Sequence, residues 1–495
     1  MQHWAGNYGR MSDGSPEITE MGATALAAAI REKDVSCVAV MEAYLDHIER
    51  LNPVVNALVS LRSSDALREE ASARDAELAA GHQAGPLHGV PLAIKDLELT
   101  AGIRTTFGSP LFRDFVPDQD SIQVERLRRA GAILIGKTNT PEFGLGSQTY
   151  NNVFGTTLNA YDQTRTAGGS SGGAASALAL RLLPIADGSD FAGSLRNPAA
   201  YNNLFALRPS PGVVPADRPD AYLLPPAVLG PLARSVPDLA LLLSVQAGHD
   251  LRDPLSSRED PARFLTSLDQ DFYGLRVAWC GDFGGHIPFE SGVLRLCEAA
   301  LPTLEDLGCI VEAAVPDYPL EQLWQDFLVL RSWHVATAHA AQWRDPAERR
   351  QLKPELIWEI ERGLALPAED IYRASFGRTK WYHAMRRLFT RYDVLLAPSA
   401  QLFPFPADEP WPKTVAGRAM DSYHRWMEIA IVITMSGCPA LNVPVGFDGR
   451  GLPMGMQMVA PVGQDFRLLQ LAHAYDGATG WVRRHPPPLV ATRTN

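Results

Sequence analysis

Cysteine is scarce in this chain, and nothing about its placement suggests a framework. The five cysteines, Cys37, Cys280, Cys297, Cys309 and Cys438, are odd in number, widely spaced and free of any CxxC pair. Disulfide scaffolds and thiolate metal sites are thereby excluded, and reduced, mostly buried thiols are expected. No HExxH occurs among the 12 histidines, and His334 and His339 sit five residues apart, a poor spacing for one helical face. No metal is therefore expected. No run of about 18 apolar residues is present to span a bilayer. The longest apolar region, 429–445, is broken by Thr434, Ser436, Gly437, Pro439 and Asn442 and reads as a buried helix followed by a buried strand. Residues 1–16 lack a basic start followed by an apolar run, so no secretory signal and a cytoplasmic location are expected. No repeat with a period of 20–50 residues is visible. Positive charge is in deficit, with 45 Lys and Arg against 56 Asp and Glu, a net charge of −11. An acidic surface repels polyanions, so nucleic acid is not expected as a partner. The most basic stretch, 378–391, sets Lys380, Arg386 and Arg387 among Trp381, Tyr382, Leu388 and Phe389 and reads as an amphipathic helix.

What is present is a 495-residue chain with 46% hydrophobic and 20% charged residues, enough to bury a large core. Residues 17–62 read as two helices, the first marked by Ile18, Leu26, Ala29 and Ile30. Ser36 can cap the second, whose apolar face is Val38, Met41, Leu45 and Ile48. A third helix covers 65–80. The pattern then alternates. Strand character at 89–94, 132–135, 182–186, 276–280, 309–315 and 394–397 is separated by helical segments, among them 121–130 and a helix ending at 176–181. The Gly- and Pro-rich stretches 208–231 and 404–416 read as loops. That alternation predicts an α/β protein with a largely buried sheet. No composition shift marks a linker, so one domain is expected over 1–495. It divides into a helical layer (17–80), a core (81–314), a variable helical region (315–430) and a returning part of the core (431–480).

Three glycine-rich motifs carry chemical information. GAILIGKT at 131–138 satisfies the phosphate-loop pattern, but its apolar interior reads as a buried strand flanked by glycine. GGSSGG at 168–173 satisfies the pattern of a nucleophile elbow, yet the polar stretch before it, DQTRTA, is no strand. GSDFAGSLR at 188–196 sets glycines around a serine and is weak alone.

Together with Gly89-Val-Pro-Leu-Ala-Ile-Lys95-Asp96, the last two motifs strongly resemble the amidase signature family of Ser-cisSer-Lys hydrolases. Lys95 precedes Ser170 by 75 residues, and Ser170 precedes Ser194 by 24. The segments 100–109, 136–143, 152–155, 437–444 and 451–457 also look family-like, and the resemblance spans about 20–475, thinning across 315–430. It implies a mixed, twisted β-sheet covered by helices on both faces. It implies Ser194 as nucleophile, Lys95 as base, and Ser170, after a cis peptide, as the relay between them. It also implies an oxyanion hole from the backbone N–H groups of Phe191, Ala192, Gly193 and Ser194. Ser171, Asp190 and Arg196 match positions that scaffold the site by hydrogen bonds and ion pairing. A serine hydroxyl is a weak nucleophile without a base. Lysine can serve only when neutral, so burial must lower its pKa.

Ser189, Phe191 and Ala192 stand where Thr, Thr and Gly are frequent, and Ala160 and Ala167 where proline is common. The departures lead away from the tRNA-linked amidotransferase subunit, which remains the alternative and would need a partner protein. The resemblance implies hydrolysis of small-molecule aryl or alkyl amides through an acyl-enzyme. Carbamates (urethanes) and esters share the attacked carbonyl. No cofactor is implied, and a monomer or homodimer is expected. Trp324, Phe327, Trp333 and Trp343 could line an apolar pocket, though a helix packing its aromatic face into the core is the favoured reading.

Overall fold

The computed structural model describes residues 17–491 except 219, 221 and 223–226. Residues 1–16, where no secretory signal was expected, lie outside the described residues, as does part of the 208–231 stretch.

The chain opens with helices α1 (Ala23–Glu32), α2 (Cys37–Val55) and α3 (Ser64–Ala79). Ser36 caps α2 by accepting the Ala39 amide at 3.0 Å. The buried face of α2 is Cys37, Val40, Met41, Tyr44, Ile48, Leu51 and Val55, with Val38 and Leu45 only half-buried. This face obeys the same helical period as the expected one but is rotated to bring the larger Tyr44 inside.

Two sheets follow. In the small one, β1 (Pro91–Lys95) runs parallel to β2 (Ile133–Thr138), and Leu58–Val59 pairs antiparallel to β2. Both β1 and β2 are buried at every position. Lys137 of the GKT sequence is fully buried and donates to the Glu98 carbonyl at 2.6 Å and the Thr100 hydroxyl at 2.8 Å. Its ammonium is spent inside the protein, and the strand runs through Gly136 to Thr138 rather than ending at the glycine.

The large sheet is built from β3 (Ile185–Asp190), β4 (Phe205–Arg208), β5 (Val228–Ala233), β6 (Arg276–Trp279), β7 (Ile310–Ala313), β8 (Val394–Pro398), β9 (Ala440–Phe447) and β10 (Pro453–Val459). Its order is β7-β6-β8-β10-β9-β4-β5-β3. β6 runs parallel to β7 and β8, while every other pairing is antiparallel, so the sheet is mixed. The central strands β8, β4 and β10 are buried at every residue, which requires cover on both faces. The expected strand at 309–315 is the exposed edge β7.

Two sequence expectations shift. The strand expected at 182–186 begins at Ile185 and reaches Asp190, because the chain turns through Arg181 in a left-handed conformation before pairing. The end of the expected 208–231 loop is strand β5. Despite Gly230 and Pro231, its six residues pair with all six of β3, Asp190 opposite Val228. Pairing across a full partner strand outweighs the loop-like composition.

The remaining long helices are α4 (Ile122–Arg129), α5 (Gly172–Ala179), α6 (Arg196–Tyr201), α7 (Val236–Gln246), α8 (Val293–Asp306), α9 (Leu320–Arg344), α10 (Pro354–Leu364), α11 (Ala368–Leu388), α12 (Glu428–Ser436) and α13 (Asp465–Thr479). The basic stretch lies in α11, with Trp381, Met385 and Leu388 buried and the Trp381 indole N–H donating to the Val432 carbonyl at 2.9 Å. On α9, Trp324 and Phe327 are core residues, whereas Trp343 packs on a small separate cluster around Leu145 and Leu356. All five cysteines are buried and unpaired. No helix among the described residues is long and apolar enough to cross a membrane.

Candidate active site

The small sheet delivers Lys95 to the edge of the large one. β1 ends at Lys95, whose side chain is fully buried. Its Nζ donates to Ser170 Oγ at 2.8 Å, Ser171 Oγ at 2.8 Å and Ser189 Oγ at 3.0 Å. These three are hydroxyls, a fourth and longer contact goes to the Ser189 carbonyl at 3.5 Å, and no carboxylate among the described residues hydrogen-bonds the ammonium. Burial therefore dominates and lowers the Lys95 pKa from 10.5 to about 7, against the opposing pull of Asp187, Asp190 and Glu98.

Ser170 and Ser171 lie on the turn into α5, and the Gly169–Ser170 peptide is cis. Gly168 is needed here. Its φ is +75°, and a Cβ would come within 2.7 Å of Asn197 Oδ1 and 2.9 Å of Pro198 Cα. The polar stretch before this turn forms no strand, so the motif is no strand-to-helix elbow.

Ser194 sits between β3 and α6 with 6% of its surface exposed. Its carbonyl accepts the Ser171 amide at 3.2 Å, which ties the two serine-bearing segments together. The Ser194 hydroxyl has no hydrogen-bond partner among the described residues. Of the four amides expected to face an oxyanion, that of Gly193 is engaged, donating to Asp190 Oδ1 at 2.9 Å. Those of Phe191, Ala192 and Ser194 bond nothing among the described residues, so the expected set narrows to three.

Asp190 organises this loop. Beyond Gly193 it accepts the Leu195 amide at 3.1 Å and both arms of Arg196, Nη2 at 2.9 Å and Nε at 3.0 Å. Arg208 adds a third guanidinium contact at 3.4 Å. Burial would raise the Asp190 carboxyl, but the Arg196 and Arg208 guanidiniums hold it well below the usual carboxylate range. Arg196 continues to Gln457 Oε1 at 2.6 Å, Thr434 Oγ1 at 2.8 Å and the Ala430 carbonyl at 3.1 Å, anchoring the loop to β10 and α12.

A second polar cluster flanks the loop. The Arg331 guanidinium lies over the Phe191 ring at 4.4 Å, with Phe327 and His334 further around it. Arg331 Nε donates to Glu359 at 3.0 Å, and Glu359 also accepts from Tyr423 at 2.7 Å and Ser332 at 3.1 Å and pairs with His424 at 2.9 Å. Burial would raise Glu359, but His424 and Arg331 pull its pKa down to about 2. A narrow recess lined by Tyr150, Lys353, Trp411, Tyr423 and Trp426 also contains Gln148, whose backbone packs on Gly169. Among the described residues, no three His, Cys, Asp or Glu side chains are grouped to hold a metal.

β1, the turn into α5 and the loop between β3 and α6 thus bring Lys95, Ser170, Ser171, Ser194, Asp190 and Arg196 into one region. Sequence reading missed Ser189, Arg208, Thr434, Gln457 and the Arg331–Glu359 cluster. Ser189 was legible in principle, since it retains the hydroxyl of the threonine frequent at that position. Gln457 closes the 451–457 segment that looked family-like, while Arg208, Thr434 and the Arg331–Glu359 cluster reach the site from other strands and helices and carry no local signature.

The amidase family model matches residues 39–469. The chain belongs to the amidase (amidase signature) family. An acylamidase of Rhodococcus erythropolis is 34% identical over 94% of this chain and 97% of its own length. A glutamyl-tRNA(Gln) amidotransferase subunit of Thermosynechococcus vestitus is 35% identical over 92% of this chain and 97% of its own. Among solved structures, a bacterial aryl acylamidase superposes with a TM-score of 0.88 at 28% identity, covering 94% of this chain and 98% of that one. A 6-aminohexanoate cyclic dimer hydrolase complexed with substrate reaches 0.82 at 26% identity, covering 95% and 99%.

Proposed function

We propose that the protein hydrolyses small-molecule amides through an acyl-enzyme on Ser194. The observation that carries this reading is the fully buried Lys95 ammonium, 2.8 Å from Ser170 and bonded, among the described residues, to hydroxyls and a carbonyl. With its pKa near 7, a substantial fraction of Lys95 is neutral at neutral pH and free to accept a proton. Ser194 Oγ attacks the substrate carbonyl, its proton passing to Ser170 and from Ser170 to Lys95. The three free amides of Phe191, Ala192 and Ser194 stabilise the oxyanion. Collapse returns the proton to the departing amine, and water then releases the acid by the same route. Asp190 and Arg196 hold the loop in shape, and Ser171 shares the lysine.

Aryl amides are the favoured substrates. The names of the acylamidase and aryl acylamidase relatives support this, as does the Phe191 ring three residues before Ser194. Carbamates and esters present the same carbonyl and are expected to be turned over. Selectivity is assigned to 315–430, where α9 brings Phe327 and Arg331 to Phe191. A cytoplasmic monomer or homodimer completes the reading.

The amidotransferase subunit is the second reading, favoured by the 35% identity over nearly the whole chain. Against it stand Phe191 and Ala192, which add bulk beside Ser194. Release of 4-nitroaniline from a matched anilide and carbamate, with Ser194→Ala as control, tests the proposal. Turnover by the lone chain that Ser194→Ala abolishes is the expected result. No turnover alone, with co-purification of a second subunit, would transfer the assignment to the amidotransferase.

A further inference from the structure

β3 presents two polar side chains on one face, and both meet Lys95. Asp187 and Ser189 are two residues apart, so they share a side of the strand, while Asp190 faces the arginines on the other. Ser189 meets the lysine's ammonium. Asp187 Oδ1 accepts the lysine's backbone N–H at 3.0 Å. The other oxygen of Asp187 accepts from Gln123 Nε2 of α4 at 2.8 Å, and Gln123 Oε1 accepts from Gln246 Nε2 of α7 at 2.9 Å. Asp187, Gln123 and Gln246 are fully or almost fully buried. A carboxylate on the inner face of a strand has a large desolvation cost, so its retention calls for a reason.

We infer that Asp187 is a positioning residue for Lys95, clamping the end of β1 from behind and supplying the buried negative charge against which the lysine holds its proton. The inference rests on the reading of Lys95 as the base. Burial raises the Asp187 pKa, but the Lys95 backbone N–H, the charges of Lys137 and Lys95, and the Gln123 amide oppose it, and with the amides so oriented both carboxylate oxygens accept from N–H donors, the pattern of the ionised form. The other acidic groups facing Lys95 are Asp190, at the end of β3, and Glu98, in the turn after β1, whose pKa burial raises to about 7 so that it gains its charge only around that pH. Asp190 is neutralised by Arg196 and Arg208. Lys137 of β2 faces Asp96, Asp187, Glu98 and Asp120. Helix α5 brings no charged residue. Burial lowers the Lys95 pKa, and Asp187 is the foremost of the groups opposing it.

Removing that charge has a definite sign. An ammonium without its carboxylate loses its proton more readily, so the acid limb of the activity profile moves to lower pH. Asp187→Asn suits the site, because one amide oxygen still accepts the Lys95 N–H. The amides of Gln123 and Gln246 can then both turn over to accept the new donor, bringing into use Gln246 Oε1, which is buried without a partner.

The test is kcat/KM for a 4-nitroanilide against pH, for the wild type, Asp187→Asn and Gln123→Leu, with Ser194→Ala and Lys95→Met as blanks. The expected result is an acid limb displaced down by about one pH unit in Asp187→Asn, with the plateau reduced less than about tenfold. Gln123→Leu strips one donor from the carboxylate, which then protonates more easily, and should move the limb the same way by about half as much. It serves if Asp187→Asn does not fold. An unmoved limb with both blanks inactive overturns the role of Asp187 alone. Retained turnover in either blank overturns the acyl-enzyme reading itself.

Discussion

Two of the buried cations around the nucleophile loop, Lys95 and Arg331, have opposite surroundings. Lys95 has three hydroxyls and a carbonyl for partners and, among the described residues, no carboxylate within hydrogen-bond reach of its ammonium. Arg331 is hydrogen-bonded to Glu359, whose carboxylate is shared with Tyr423, Ser332 and His424. Burial acts on both. In the first cluster no carboxylate bonds the ammonium and the Asp187 charge behind it compensates burial only in part, so the charge becomes easy to lose. In the second a carboxylate compensates it, and the Arg331 charge is kept, its pKa raised. The same physical cost thus produces a group suited to exchanging protons and a group suited to holding shape.

The largest effect should come from breaking the first cluster. Ser194→Ala and Lys95→Met are each expected to lower kcat at least about 10³-fold while leaving thermal unfolding within a few degrees of the wild type. Retained turnover would contradict the proposed roles. Breaking the second cluster should do the reverse. Glu359→Ala leaves a buried guanidinium without its carboxylate, and should cost about 3–5 kcal/mol in urea unfolding. An unchanged unfolding midpoint would show the pair to be inert.

The pH dependence of stability should separate the clusters further. The folded-state pKa of Lys95 lies below its unfolded value of 10.5, at about 7. The unfolded chain therefore binds more protons between those values, and stability should rise with pH from about 7 toward 10. Lys95→Met should flatten that slope. Glu359 has a folded pKa of about 2 against 4.5 unfolded, so its contribution is present above 4.5 and lost as pH falls toward 2. Urea unfolding with Glu359→Gln should lack that acid-side loss. Activity should rise through about pH 7 in the wild type, as Lys95 becomes neutral, and a flat acid-side profile would contradict Lys95 as the base.

The smallest effect is expected at Ser189, the hydroxyl of the first cluster that no motif assigned to it. Ser189→Ala removes one of three hydroxyl partners of the lysine and should lower kcat about tenfold, with the fold intact. Ser189→Thr keeps the hydroxyl and should restore most of the rate.

The legible parts of the site are those confined to short stretches. GGSSGG and GSDFAGSLR have their local geometry written in glycine, and the positive φ of Gly168 and Gly193 explains two of those positions. The helix at 37–55 was legible because a serine cap and apolar periodicity are local signals, and that at 64–79 because its Ala- and Glu-rich composition favours helix. Strand β5 was not, because Gly230 and Pro231 mark a loop by composition while the pairing partner lies some 40 residues earlier. Arg331 and Glu359 were equally opaque. A charged residue on a helix reads as solvent-facing until its neighbours are known.

The sequence by itself determined the family and the alternation of strands and helices, which follow from motifs and local backbone demands, and the resemblance to that family pointed to Lys95, Ser170 and Ser194. Only the tertiary structure decided which amides beside Ser194 are free, because Asp190 takes that of Gly193. It also decided that Asp187 stands behind Lys95, and that one buried cation is left without a carboxylate partner while the other is given one. These are matters of desolvation and long-range pairing, whose energies depend on neighbours brought together from distant parts of the chain.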